Sequence, residues 1–230
     1  NNSLYFIKKE NGEKIKILPT EDTIVKNNFI NSLSLGNKNL FFLNTYGSLY
    51  NFESSGRIKW FVNLNQSADI NPSNLFNSNQ IINYKNIVIV STDLMLYFLD
   101  SNNGSTYFKI SITSQFRPIV SGENLFLITK DNLLVCINLN KKKVVYSIDV
   151  EQSIANYLNI EKKKSIDIKS LNLVNNDLFL YLNNSYLVRF NKFGKIKRIN
   201  KLDSKIYSSP IFIKGEIIYL DNRNKLNITN

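Results

Sequence analysis

Carboxylates carry most of the chemical potential in this 230-residue chain, because it has no histidine, one cysteine and one tryptophan. Asp69, Asp93, Asp100 and Asp131 all fall in predicted loops or turns. Acids in such places hold Ca²⁺ when they alternate within one short loop, and act as general bases when a neighbouring group tunes them. These four are scattered, one to a loop, without that spacing. The absence of histidine excludes imidazole bases and histidine metal sites. Cys136 lies inside an apolar run, cannot form an internal disulfide, and reads as a small apolar filler. Gly56, Gly104 and Gly122 are isolated turn glycines and do not form a phosphate-cradling loop. No catalytic, cofactor-binding or metal-ligating residue is therefore expected, and the chain reads as a non-enzyme.

The formal charge is +11. The lysines are spread through turns and strand ends, with tight clusters only at Lys141-Lys142-Lys143 and Lys162-Lys163-Lys164. No nucleic-acid reader motif accompanies them, so the charge reads as a solvated basic surface and no nucleic-acid partner is expected. Alanine occurs only at Ala68 and Ala155, while Ile, Leu, Phe, Tyr, Asn and Lys abound. That skew is compositional, as from an AT-rich coding sequence. No apolar run reaches the roughly 18 residues that span a bilayer. Neither an initiator methionine nor a signal peptide is evident, which suggests a processed chain or a piece of a longer one.

The element that must position any functional residue is a repeat. Gly36–Leu43, a polar turn, Leu49–Phe52, Gly56 and Trp60 form one copy. Tyr84–Val90, Leu96–Asp100, Gly104 and Phe108 form the second. The third is Gly122–Ile128, Leu133–Ile137 and Tyr146; the fourth is Asn175–Tyr181, Tyr186–Phe190 and Gly194. The β-branched and aromatic runs, punctuated by Asn and Gly, predict strands. The third strands recur roughly forty to fifty residues apart, a period that marks solenoids, propellers or arrays, and the lack of helix selects the propeller.

Each full unit reads as four strands: a short run such as Arg117–Val120, a near-continuous apolar strand, a third after a tight turn, and a fourth carrying a large aromatic. The predicted fold is all-β, a β-propeller of four-stranded antiparallel blades forming one domain over 1–230. A partial blade lies at 4–18, full blades near 29–64, 79–112, 117–150 and 169–202, and an incomplete last blade at 208–230. About five blades are thus present, either as a five-blade ring with irregular closure or, the favoured reading, as an arc of a seven- or eight-blade ring. Gln66–Ser78 reads as a long loop, and Glu151–Lys169 as a charged loop with a short helix around Gln152–Ile160. Trp60, Phe108 and Tyr146 are assigned to packing between blades.

The phrase Phe52-Glu53-Ser54-Ser55-Gly56-Arg57-Ile58-Lys59-Trp60 resembles the pyrroloquinoline-quinone-type propeller repeat, in which an acid, a turn with glycine and a closing tryptophan recur. Leu99–Phe108 is a second match, with Phe in place of Trp. In later copies Asn138 and Asn191 stand where the acid would be, and Tyr146 and Arg198 near the aromatic slot. Within that superfamily the chain is most similar to the BamB family, the propeller lipoproteins of the outer-membrane barrel-assembly machinery. The short unit at 117–150 and the ending on Ser209–Asn230 carry this likeness.

The resemblance implies a periplasmic scaffold at the inner face of the outer membrane, monomeric within a complex. It implies that roughly three upstream blades of an eight-blade ring and a lipid-bearing N-terminus are missing here, that anchor being the only membrane association. It also implies a protein partner, the periplasmic domains of the barrel-inserting subunit, met by loops near 24–29 and 66–78. The residues offered there are Val25, Lys26, Asn27 and Asn28 in the first loop and Asp69, Asn71 and Asn74 in the second. Two other readings stand beside it: a propeller interaction module with another partner, and a quinoprotein dehydrogenase. The enzymes of that class carry a vicinal cysteine pair, repeated tryptophans and clustered Ca²⁺ ligands, which this sequence lacks.

Overall fold

The computed structural model describes residues 2–21, 31–36, 38–65, 76–162, 166–208, 210–213 and 215–229. Among them the chain builds six antiparallel sheets, each running in chain order. The first pairs β1 (Asn2–Ile7) with β2 (Lys14–Glu21). The second holds β3 (Ser32–Leu35), β4 (Asn39–Leu43), β5 (Ser48–Glu53) and β6 (Ile58–Asn63). The third holds β7 (Ile82–Tyr84), β8 (Ile87–Ser91), β9 (Leu96–Asp100) and β10 (Thr106–Ile110). The fourth holds β11 (Ile119–Ser121), β12 (Asn124–Ile128), β13 (Leu133–Asn138) and β14 (Lys143–Asp149). The fifth holds β15 (Ile168–Val174), β16 (Asp177–Leu182), β17 (Tyr186–Asn191) and β18 (Ile196–Lys201). The sixth holds β19 (Ile211–Ile213), β20 (Glu216–Leu220) and β21 (Leu226–Thr229).

Burial follows strand position. The second and third strands of the full sheets are buried along most of their length, as in β8, β9, β12 and β13, whereas β6 and β14 show far more exposure. Continuous apolar strands covered on both faces are what stacked sheets require. The contacts divide the chain into two compact units, Asn1–Arg117 and Pro118–Asn230. In the first unit, Leu4 packs with Phe42, Tyr50 and Phe52 to join the first sheet to the second. Phe41, Leu43, Leu49, Val88, Val90 and Leu99 join the second to the third. In the second unit, Tyr181 and Leu187 meet Ile217 and Tyr219 between the fifth and sixth sheets.

The repeat's aromatic slot has a backbone cause. In each four-stranded sheet the pairing of third and fourth strands slips by one residue at the same place. The residues passed over are Lys59, Tyr107, Val145 and Lys197, all exposed. Such a bulge bends a strand and re-aims the next side chain; here that side chain is Trp60, Phe108, Tyr146 or Arg198. Trp60 Nε1 donates to the Ser101 carbonyl of the third sheet at 3.1 Å, and Asn51 Nδ2 donates to the same oxygen at 2.9 Å. The indole lies on Gly104, whose φ is +76° and where an added Cβ would come within 2.7 Å of Trp60 Cε3. In the second unit, Tyr146 Oη donates to the Lys192 carbonyl at 3.0 Å and its ring lies on Gly194, at φ +80°. Lys16 Nζ makes the corresponding reach to the Ser55 carbonyl at 3.0 Å. Phe108 instead stacks on Phe98 of its own sheet, ring centroids 3.9 Å apart.

The sequence places a helix around Gln152–Ile160; α1 spans Val150–Leu158. Asp149, the last residue of β14, is also the N-cap, accepting from the Gln152 N–H at 2.9 Å, so the helix begins directly where the strand ends. Asn159 closes it in the left-handed conformation.

Trp60→Ala is expected to cost roughly 3–5 kcal/mol in denaturant melts, as for other large packed aromatics. A loss under about 1 kcal/mol would show that the indole does not hold the second sheet to the third.

Candidate functional site

The acids with chemical potential are turn-makers. Asp100 ends β9 and accepts from the Asn102 N–H at 2.6 Å and from Tyr107 Oη at 2.6 Å. Hydrogen bonding from Tyr107 is the main reason its pKa lies below the ordinary value. Asn138 and Asn191 play the same part in their copies, Asn138 Oδ1 accepting from the Lys141 N–H at 2.8 Å and Asn191 Oδ1 from the Phe193 N–H at 2.9 Å. A side-chain oxygen that closes a turn is what the repeat keeps, whether it comes from Asp or Asn. Glu53 forms a two-pronged pair with Arg57 at 2.7 and 3.1 Å, on the surface. Cys136 is buried, and burial pushes its thiol up to about 11, which leaves it unreactive at neutral pH. Among the described residues, no group of three or more His, Cys, Asp or Glu side chains could hold a metal ion. No helix there is long and apolar enough to cross a membrane.

Val25, Lys26, Asn27, Asn28, Asp69, Asn71 and Asn74 lie outside the described residues. The residues flanking their two segments are described, and they converge. Thr20, at the end of β2, receives hydrogen bonds from Asn44 Nδ2 at 3.4 Å and from Tyr50 Oη at 3.5 Å. Beyond the second segment, the Phe76 N–H donates to the Thr45 carbonyl at 2.9 Å; before it, the Leu64 N–H donates to Gly47 at 2.8 Å. Ser32 Oγ accepts from the Ile81 N–H at 2.7 Å, tying the far flank of each segment to the other. The turn Asn44–Ser48 between β4 and β5 is the common post. It is held shut by Asn44 Oδ1, which accepts from the Tyr46 and Ser48 N–H groups at 3.0 Å each. The described flanks of both segments therefore meet at one end of the second sheet.

In the second unit, two features were invisible as motifs. A groove of about 250 Å³ runs beside α1, lined by Ile154, Leu158, Ile160, Leu182, Tyr186 and Val188 among others. Asp177, only 3% exposed, is gripped by Arg189 at 2.6 Å and Lys197 at 2.7 Å. Desolvation alone would raise its pKa, but hydrogen bonds and charge from Lys197 and Arg189 together hold it below the ordinary 3.8. Asp177, Arg189 and Lys197 sit on three successive strands, and their pairing in the sheet, which no sequence spacing announces, brings them together.

No family model matches the chain and no curated protein matches it. Among solved structures, the crystal structure of BamB from Moraxella catarrhalis is similar with a TM-score of 0.73 at 9% identity, over 99% of this chain and 66% of that one. The computationally designed Ika8 protein is similar with a TM-score of 0.59 at 11% identity, over 85% of this chain and 56% of that one. This chain thus spans just under two thirds of the length of the BamB it matches.

A buried carboxylate held below its unfolded pKa stabilises the fold above the unfolded value and loses that contribution as pH falls through the folded one. Stability should therefore decline below about pH 4, and Asp177→Asn should flatten that decline while costing about 2 kcal/mol at neutral pH. Melts of both proteins across pH 2.5–7 check this; equal slopes would contradict it. At these identities the likeness is one of fold, and the fold of this chain is that of a BamB-like β-propeller.

Proposed function

We propose that this chain is a non-enzymatic binding scaffold of the bacterial envelope. Its loops near 24–29 and 66–78 dock onto the periplasmic domains of the barrel-inserting subunit, as the BamB resemblance implies. The observation that carries this reading is the likeness to BamB over 99% of the chain. The common post at Asn44–Ser48 supports it, since the described flanks of both segments are hydrogen-bonded to that turn or to β5 beside it, which suits a shared surface offering Val25, Lys26, Asn27, Asn28, Asp69, Asn71 and Asn74. Binding residues on loops held by a rigid sheet are the usual arrangement for recognition. The proposed location is the periplasm, at the inner face of the outer membrane.

The proposal includes one propeller running through 1–230 as part of a larger ring. Its support is two apolar sheet faces of the kind that a neighbouring blade covers. The first sheet exposes Tyr5, Ile7, Ile15 and Ile17, and the sixth exposes Ile211, Ile213, Leu226 and Ile228. A second reading, a propeller module with an unrelated partner, is favoured by the groove beside α1, which offers an apolar docking surface of its own.

Titration against the periplasmic domains of the barrel-inserting subunit tests the first reading. Saturable binding at about micromolar strength, weakened several-fold by Lys26→Ala with Asp69→Ala, is expected. Absence of binding by a folded protein moves the weight to the second reading. Adding the quinone with Ca²⁺ and a dye acceptor is expected to give no alcohol oxidation; turnover would overturn the scaffold reading altogether.

A further inference from the structure

One face of the fifth sheet turns toward the sixth, and it is rich in polar groups. Cross-strand register aligns Ser170 with Tyr181 and Leu187, and aligns Asn172 with Phe179, Arg189 and Arg198. Six buried side-chain polar atoms lack a hydrogen-bond partner among the described residues, and three of them, Ser170 Oγ, Asn172 Nδ2 and Tyr181 Oη, fall on this face. Tyr181 is fully buried. Burial, with a smaller contribution from Tyr219, raises its phenol well above the ordinary value, so the hydroxyl stays neutral. Buried polar groups are normally satisfied, and a cluster that is not calls for a specific explanation.

Between the two sheets lies a cavity of about 620 Å³, within the roughly 300–1,000 Å³ of clefts that hold small ligands. Phe179, Leu187, Phe212 and Ile217 give it apolar walls, and Arg189 and Arg198 bring guanidinium groups to it. Gly215 also lines it, and a Cβ added there would meet nothing within 4 Å, so the cavity is open on that side. The two arginines differ. Arg189 is committed to Asp177 at 2.6 Å, a carboxylate it shares with Lys197 at 2.7 Å. Arg198 has no carboxylate or hydrogen-bond partner among the described residues, and no acid lines the cavity. Arg198 thus brings a positive charge to the cavity that no lining acid offsets.

We propose that this cavity binds a small organic carboxylate, an acid with an aryl or short alkyl body. The Arg198 guanidinium takes the carboxylate, for which its planar fork is matched. The apolar body lies against Phe179 and Phe212, whose rings stand 5.2 Å apart at an interplanar angle of 56°. Asn175 and Asn200, which line the cavity with Arg189 and Arg198, supply further polar groups. The site lies wholly in the second unit and does not depend on the loops near 24–29 and 66–78.

The test is a calorimetric and saturation-transfer NMR titration of the whole chain with 3-phenylpropionate. It runs beside the uncharged 3-phenylpropionamide and the Arg198→Gln variant. Arg198 is exposed, so the variant should melt as the parent does. Saturable binding is expected, with a loss of at least about tenfold for the amide and for Arg198→Gln. Arg57→Gln, an exposed arginine of the first unit, should bind unchanged. Failure to saturate by about 10 mM, or equal binding of acid and amide, or an Arg198→Gln variant that binds like the parent, overturns the proposal.

Discussion

The structure depends on how the fourth strand of one sheet reaches the next. A blade alone exposes both faces of its apolar middle strands, and only a neighbour can cover them. Wide apolar contact supplies most of the energy, but it is non-directional and sets no register. At two of the four full sheets, register comes from the slot residue after the bulge. Trp60 and Tyr146 each set a polar atom on a carbonyl in the last turn of the following sheet, with the ring against a glycine that has no Cβ to obstruct it. The turn is fixed in turn by a side-chain oxygen such as that of Asp100 or Asn191. Bulge, ring, carbonyl, glycine and capping oxygen form one unit, built once around Trp60 and once around Tyr146.

That unit explains what was legible in the sequence. The buried second and third strands announced themselves, because continuous runs such as Ile87–Val90 and Leu133–Ile137 admit little besides strand. The four-stranded antiparallel blades followed from the repeat, and Gly56 and Gly104 fall where close approach requires a glycine, whereas Gly122 meets nothing within 4 Å. The bulge left no trace, since Lys59, Tyr107, Val145 and Lys197 are exposed and chemically unlike one another. The slot is degenerate in the later copies: Tyr146 keeps the hydrogen bond that Trp60 makes, whereas Arg198 lines a cavity instead. Helix α1 was placed two residues late: Asp149 belongs to a strand by pattern and to a helix by capping, and pattern weighed more.

The site was less legible, for a physical reason. Residues that serve a partner rather than a core carry neither alternation nor burial, so the proposed docking loops have no sequence signal of that kind. What the sequence hid and the structure supplies is the support beneath them. Asn44 looks like one more Asn in an Asn-rich chain, yet its amide holds a tight turn and reaches back to Thr20. The long-range grip of Arg189 and Lys197 on Asp177 was equally hidden, because it needs the register of three strands. The overall charge of +11 gives no comparable focus, being spread over turns and exposed strand ends.

Hydrogen exchange of the chain, alone and with the periplasmic domains of the barrel-inserting subunit, reads the central claim most directly. The account expects the partner to slow exchange in 24–29, in 66–78 and in the Asn44–Ser48 turn between them, and to leave the middle strands of the sheets unchanged. Protection confined to α1 and its groove, or no protection at all in a folded protein, would contradict it.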